Sequence, residues 1–268
     1  MKFTKLFPLA CRASCDRPGL SAIPSLGQWA NRPRGIRNRS PAMNVTYLGH
    51  SCLLVELAGS RLLFDPFISP NELASAIDVE RVEADHVLIS HGHEDHVADA
   101  ERILKRTGAK LIAAYEIATW FGAKGVENYH PLNHGGGFDF DFGRATFVNA
   151  VHSSMLPDGS YGGNPGGFVI ESGAGNFYFS GDTALTLDMK LIGESVHLDW
   201  AALCIGDNFT MGPRDAAKAA QFVGAKRVVG IHYDTFPPIQ IDHAAAKRTF
   251  ADAGVDLLLP GVGDTIEL

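Results

Sequence analysis

From residue 43 onward the apolar positions fall into short runs ended by glycine or by polar pairs, and the runs change character along the chain. Residues 45–48, 52–57 and 61–64 read as three strands, with Gly59-Ser60 supplying a hairpin turn between the second and third. His86-Val87-Leu88-Ile89-Ser90 reads as a buried strand, followed by a helix at 98–106 and a strand at 110–114. Residues 138–151 then read as two strands turned at Gly143, and 167–180 as two more turned at 172–175. Apolar strands at 201–205 and 227–231 flank a helix at 213–222, and a helix at 242–253 precedes closing strands near Leu257 and Thr265. The order is meander, α/β, meander, α/β. It predicts an α/β fold of two similar halves, each a sheet with helices on its outer face, packed sheet to sheet.

The first 42 residues do not share this pattern. They hold Pro18, Pro24, Pro33, Pro41 and an arginine-rich stretch from Arg32 to Arg39, with no sustained periodicity. Their composition suits a poorly ordered tail, a targeting peptide or an upstream start ahead of Met43, and none of the three readings gives them a part in chemistry. The expected domain is therefore 43–268. Of 268 residues 46% are hydrophobic and 20% charged, the balance of a soluble globular protein, and no run after residue 43 is long and apolar enough to span a bilayer.

Charge narrows the partners. The formal net charge is -7, but the first 42 residues carry eight bases against one acid, which leaves 15 bases and 29 acids for the rest. A body near -14 repels phosphate backbones, so a nucleic-acid substrate is not expected and a small molecule is. Cys52 and Cys204 sit inside apolar runs and read as small buried hydrophobes rather than as a disulfide framework, which suits a reducing, cytoplasmic setting.

The chemistry concentrates at the end of the 86–90 strand, in His91-Gly92-His93-Glu94-Asp95-His96. A loop at a strand end can turn His91 and His93 toward one point and Asp95 and His96 toward a neighbouring one. Imidazole and carboxylate suit Zn, Mn, Fe, Co or Ni, with zinc foremost, and a partly protein-filled coordination sphere is the mark of a catalytic metal. Further ligands are expected at other strand ends. His152, Asp182 and His232 each stand just past an apolar run.

In that order these residues resemble the metallo-β-lactamase superfamily. The settings Leu48-Gly49-His50-Ser51, Phe64-Asp65-Pro66, Ser180-Gly181-Asp182-Thr183 and His232-Tyr233-Asp234-Thr235-Phe236-Pro237 are similar to a subgroup of metal-dependent hydrolases within it. The resemblance implies the four-layer αβ/βα sandwich and a dinuclear centre: His91, His93 and His152 on one divalent metal, Asp95, His96 and His232 on the other, and Asp182 bridging. It implies that Asp65 stands behind the ligands and holds one histidine by its other ring nitrogen. Two such metals share a water, lower its pKa toward neutrality and present it as hydroxide to the bond under attack, with Asp95 orienting it. His50 has two open readings, a substrate or oxyanion contact and a structural hydrogen bond.

Departures from relatives narrow the reaction. Aspartate at 182, where common zinc β-lactamases carry cysteine, speaks against antibiotic hydrolysis, and His93, where the di-iron oxidoreductases carry glutamate, speaks against redox chemistry. Only 36 residues follow His232 and 49 separate it from Asp182, too few for a helical thioesterase domain or a nuclease insertion. Hydrolysis of a small ester, lactone or phosphoester is the reading that remains, with a non-catalytic metal-dependent binding or sensing protein as the alternative. The loop after His152, rich in glycine between residues 153 and 167, is expected to form a wall of the pocket. The sequence leaves a homo-oligomer open and does not set the oligomeric state.

Overall fold

The computed structural model describes residues 43–268; the expected tail, 1–42, lies outside the described residues. Among the described residues fourteen strands form two seven-stranded sheets. The first half of the chain supplies β1 (Asn44–Gly49), β2 (Cys52–Leu57), β3 (Ser60–Phe64), β4 (His86–Ile89), the short helix α1 (Glu94–Val97), α2 (Ala100–Thr107), β5 (Lys110–Ala114), α3 (Tyr115–Ala123) and β6 (Tyr129–Leu132). The second supplies β7 (Gly137–Phe140), β8 (Gly143–Asn149), β9 (Gly166–Ser172), β10 (Gly175–Phe179), α4 (Asp188–Ser195), β11 (Trp200–Cys204), α5 (Pro213–Val223), β12 (Arg227–Ile231), α6 (His243–Asp252), β13 (Asp256–Leu258) and β14 (Thr265–Glu267).

The two sheets repeat one plan. In the first, the order is β14-β1-β2-β3-β4-β5-β6, antiparallel as far as β3 and parallel from there on. In the second, the order is β7-β8-β9-β10-β11-β12-β13, antiparallel as far as β10 and parallel beyond it. The expected two-half sandwich is what is observed. The one exchange is β14, which leaves the second half to pair with β1, so that Leu268 and Met43 bond each other's backbone.

The central parallel strands β4 and β11 are buried along their whole length, and β5 and β12 along all but their first residue, as helices on the outer side and a second sheet on the inner side require. Helix α2 shows why the outer layer is amphipathic: Ala100, Ile103 and Leu104 are buried, while Glu101 and Lys105 pair one turn apart on the other face at 2.6 Å. Gly108, at φ 71°, closes it in the left-handed conformation. Between the sheets lies an aromatic seam. Phe64 of β3 stacks on Phe179 of β10 with ring centroids 4.7 Å apart and meets the edges of Phe177 and Phe168.

Four features depart from the expected elements. Glu94–Val97, expected within the loop after β4, forms α1, so Asp95 and His96 stand on a helical turn. The β2–β3 turn is Ala58-Gly59, one residue earlier than expected, with both residues at positive φ (51° and 84°), which matches a two-residue hairpin of the twist that strands prefer. Helices α3 and α4 fall where no helix is expected. β6 also escapes prediction, because it contains Pro131, and proline is tolerated there only because β6 is an edge strand.

The seam carries the stability of the sandwich. Phe64→Ala should cost about 3–5 kcal/mol, the range for emptying a buried aromatic site. Arg61→Ala on the same strand, where a half-exposed pair with Asp85 at 3.0 Å is lost, should cost about 1 kcal/mol or less. Urea unfolding followed by circular dichroism measures both.

Candidate metal centre

The site forms where one end of both sheets opens. The residue directly after a strand repeatedly takes a left-handed backbone: His50 after β1 (φ 54°), Asp65 after β3 (φ 42°) and His232 after β12 (φ 56°). Such conformations cost on the order of 1–3 kcal/mol each in a non-glycine residue and persist only where the surroundings hold them. Here they turn polar side chains off the ends of apolar strands, His50 and His232 into one cluster with Asp95 and His96, and Asp65 onto His96 from behind. Two backbone bonds across the sheets fix the geometry, His232 N–H to His50 O (2.9 Å) and Gly166 N–H to Ser90 O (3.1 Å). Gly181, at φ 56°, lets the loop after β10 approach closely; a Cβ there would lie 2.6 Å from Ser90 Cβ.

The sequence-predicted residues fall into two adjoining clusters. His91, His93 and His152 make one, and Asp95, His96 and His232 make the other together with His50; within each, one donor atom per residue lies within 4.8 Å of the others. Asp182 stands between them. Its Oδ2 is 2.9 Å from His232 Nε2, 3.4 Å from His96 Nε2, 3.6 Å from His152 Nε2 and 3.9 Å from His91 Nε2.

Behind the clusters Asp65 is fully buried and saturated with bonds. It accepts from His96 Nδ1 (2.8 Å), from the Ser90 hydroxyl (2.6 Å) and from the Ser90 backbone (2.8 Å), so His96 presents Nε2 to the centre. Ser90 Oγ also lies 3.0 Å from His91 Nδ1, and Ser153 Oγ 3.3 Å from His93 Nε2, which turns the opposite nitrogen of each ring inward. His50 has no exposed surface, and both its nitrogens are engaged, Nε2 with Asp95 Oδ2 (3.1 Å) and Nδ1 with Thr235 Oγ1 (2.9 Å). Of its two open readings, the geometry fits the structural hydrogen bond. Ser90, Ser153 and Thr235 carry no signal in the sequence, since nothing in a lone hydroxyl beside a strand end says which ring nitrogen it will meet.

The electrostatics differ between the clusters. Burial pushes the pKa of His91, His93 and His152 down, which keeps these imidazoles neutral and their lone pairs available. Burial acts the same way on His96 and His232, but the surrounding carboxylates, Asp182 first and then Asp95, with Asp65 also acting on His96, outweigh it and raise both. Asp182 and Asp95 answer in kind: burial opposes their ionisation, yet the neighbouring histidines hold both carboxyls well below the usual range. The donor set fits divalent cations. Asp182 Oδ1 and His96 Nε2 are buried with no hydrogen-bond partner, and buried polar atoms are seldom left so. Imidazoles and carboxylates converge from two sides, and among the described residues no Lys or Arg pairs with Asp95 or Asp182.

The remaining histidines stay outside the centre. His86 packs on Phe142, His130 on Phe138 and His134 on Phe147, His243 pairs with Asp234, and His197 is exposed. Cys52 and Cys204 are buried and unpaired. No described helix is long and apolar enough to cross a membrane.

A two-sheet sandwich with histidine and aspartate clusters at its open end defines a β-lactamase superfamily domain, and the profile of that family matches residues 44–232. A UPF0173 metal-dependent hydrolase of Christiangramia forsetii is 49% identical over 227 residues, spanning 84% of this chain and all of the relative. Another, from Bacillus subtilis, is 46% identical over 234 residues with the same coverage. This chain belongs to the UPF0173 metal-dependent hydrolase family of the β-lactamase superfamily. The solved structure of Igni18, a metallo hydrolase from Ignicoccus hospitalis, superposes with a TM-score of 0.77 at 32% identity, covering 85% of this chain and 99% of that one.

Asp65 tests the geometry behind the clusters. Asn is isosteric and tolerates the left-handed backbone at this position, but its amide cannot accept from all three present donors. Asp65→Asn should lower zinc affinity about 10–100-fold, the usual cost of losing a partner behind a ligand, with an unchanged far-ultraviolet spectrum. Competition with a fluorescent chelator reads the affinity.

Proposed function

We propose that this chain is a metal-dependent hydrolase of small esters, lactones or phosphoesters, working at a dinuclear centre. The observation that carries the reading is Asp182 Oδ2 set within 2.9–3.9 Å of imidazole nitrogens from both clusters, the place of a bridging carboxylate. His91, His93 and His152 would hold one ion, and Asp95, His96 and His232 the other, with zinc the first candidate ahead of Mn, Fe, Co or Ni. Bound there, two divalent ions supply Lewis-acid polarisation of the substrate and activation of water.

The chain's own residues supply orientation. Asp95, partly exposed at 28% of its side chain, is the acid that faces the open side and can orient the attacking water. His50 is a positioning residue behind it. Burial pushes the pKa of His50 down to about 4, so the ring is neutral near pH 7 and has a single N–H. The ionised Asp95 can only accept, so that N–H is on Nε2 and Nδ1 accepts from the Thr235 hydroxyl. The chain Thr235–His50–Asp95 thereby fixes the carboxylate's angle. Asp65 does the same for His96.

Metal content of the purified full chain is the decisive measurement. Near two metals per chain, with clear loss in His93→Ala and Asp182→Ala, is expected, together with hydrolysis of p-nitrophenyl esters, lactones or bis-p-nitrophenyl phosphate that a chelator abolishes and added metal restores. A folded chain that stays metal-free after reconstitution would overturn the reading. Two bound metals with no turnover of any substrate would instead favour a metal-dependent binding or sensing protein.

Thr235→Val removes the Nδ1 partner and keeps the shape. It should lower kcat about 10-fold with KM nearly unchanged, because the change acts on the water-orienting carboxylate rather than on substrate binding. Steady-state kinetics of the two proteins side by side separates the parameters.

A further inference from the structure

The loops that bear the proposed ligands have an unusual composition. Residues 49–51, 65–71, 90–99, 150–165, 180–187, 205–212 and 232–242 contain no lysine and no arginine. Apart from the proposed ligands and Asp65 they carry several acids, among them Glu94, Asp158, Asp207 and Asp234. Sites that bind phosphoryl or carboxylate groups commonly add a guanidinium or ammonium clamp, since that pairing is strong and directional. None is present on these loops.

The same loops expose large apolar side chains. Val151, Met155, Tyr161, Leu187 and Phe209 are between 52 and 71% exposed. Their backbones are tied to the clusters rather than scattered over the surface. Val151 directly precedes His152; its N–H donates to the Thr183 hydroxyl (3.0 Å) and its carbonyl accepts from Ala184 (3.1 Å), which joins it to the Asp182 loop that ends in Leu187. Met155 and Tyr161 face each other across a β-bridge, and the two serines before Met155 touch His93 Nε2 and the Gly92 backbone at 3.3 and 3.0 Å. The loop bearing Phe209 is held to the Asp182 loop by Met211 N–H to Thr183 O (3.1 Å). Exposed apolar groups gathered on the loops of a polar centre mark a contact surface for something apolar.

We propose that the substrate part flanking the scissile bond is apolar and uncharged: a neutral carboxylic ester or lactone with a hydrocarbon or aromatic acyl portion, in preference to a phosphoester. This rests on the hydrolase reading above and deepens it. The reaction is water addition. The acyl carbon–oxygen bond breaks, the carbon takes the oxygen of water, the departing oxygen takes one proton, and the acid product releases the other as it ionises. No oxidant or reductant is needed. The apolar rim holds the acyl portion, and the lack of lysine and arginine on these loops gives a charged tail no counterion there.

The test uses the metal-loaded full chain with p-nitrophenyl acetate, butyrate and octanoate, the anionic p-nitrophenyl hemisuccinate, and bis-p-nitrophenyl phosphate. Full burial of one CH2 is worth ~0.8 kcal/mol, or about fourfold, so partial burial on an open rim should raise kcat/KM by about two- to fourfold per methylene from acetate to butyrate. The hemisuccinate should fall below butyrate, and Leu187→Ser with Phe209→Ser should flatten the dependence on chain length. The neutral fluorophore N-phenyl-1-naphthylamine gives a readout independent of turnover: it should bind the parent, be displaced by the octanoate ester, and bind the double variant several-fold more weakly. Preference for hemisuccinate or the phosphodiester, or no response to chain length, overturns the proposal. So does a sedimentation shift from dimer to monomer in the double variant with an unaltered chain-length dependence, which would assign the rim to a second copy of the chain. Probe binding and displacement without hydrolysis of any substrate would uphold the apolar surface and reject the hydrolase reading.

Discussion

The structure turns on burying carboxylates among imidazoles where, among the described residues, no lysine or arginine pairs with them. Asp182 and Asp65 are almost wholly withdrawn from solvent, and a buried carboxylate without compensation would be costly enough to take up a proton instead. Here the histidines supply the compensation, to the point that Asp182 stays ionised in spite of its burial. A cluster of this kind gains most from divalent cations, which meet both the charge and the lone pairs. Much of the surrounding architecture serves to hold that arrangement: strained residues after β1, β3 and β12, Ser90 shared between Asp65 and His91, and backbone bonds that tie one sheet to the other.

The two-half plan explains why such a cluster can be built at all. The first half contributes His50, Asp65, His91, His93, Asp95 and His96, and the second contributes His152, Asp182 and His232. Neither half holds the centre alone. Packing of Phe64 against Phe179 sets the spacing of the sheets, and the distance from Asp182 to the histidines of the first half follows from it. Stability of the seam and geometry of the centre are therefore linked.

Membership of the metal-dependent hydrolase family and the likeness to Igni18 establish the fold of the chain, and since fold alone does not carry substrate choice, that choice is sought in the loops around the clusters. In this chain those loops are acidic or apolar, with Val151 and Leu187 prominent on the segments that flank His152 and Asp182. The net acidity of the body points the same way, since it repels polyanions before any contact is made.

Alternating apolar runs and their glycine turns were enough to predict the two meanders, the parallel strands and the two-half plan, because burial on both faces of a strand leaves an unbroken apolar signature. Helices α3 and α4 escaped prediction for the converse reason. Residues 115–123 are apolar around much of the helix, and α4 buries only Met189 and Ile192, so neither shows a clear helical stripe. The density of ligand types in His91-Gly92-His93-Glu94-Asp95-His96, and the position of His152, Asp182 and His232 after apolar runs, already marked candidate ligands in the sequence. Only the tertiary structure decided which atoms meet: that His50 turns inward to Asp95 and Thr235, that Ser90 serves Asp65 and His91 together, and that Asp182 lies between the clusters. The reason is physical. Local sequence sets which residues lie at a strand end, but the direction a side chain takes from there depends on backbone torsions and sheet packing imposed by residues far away in the chain.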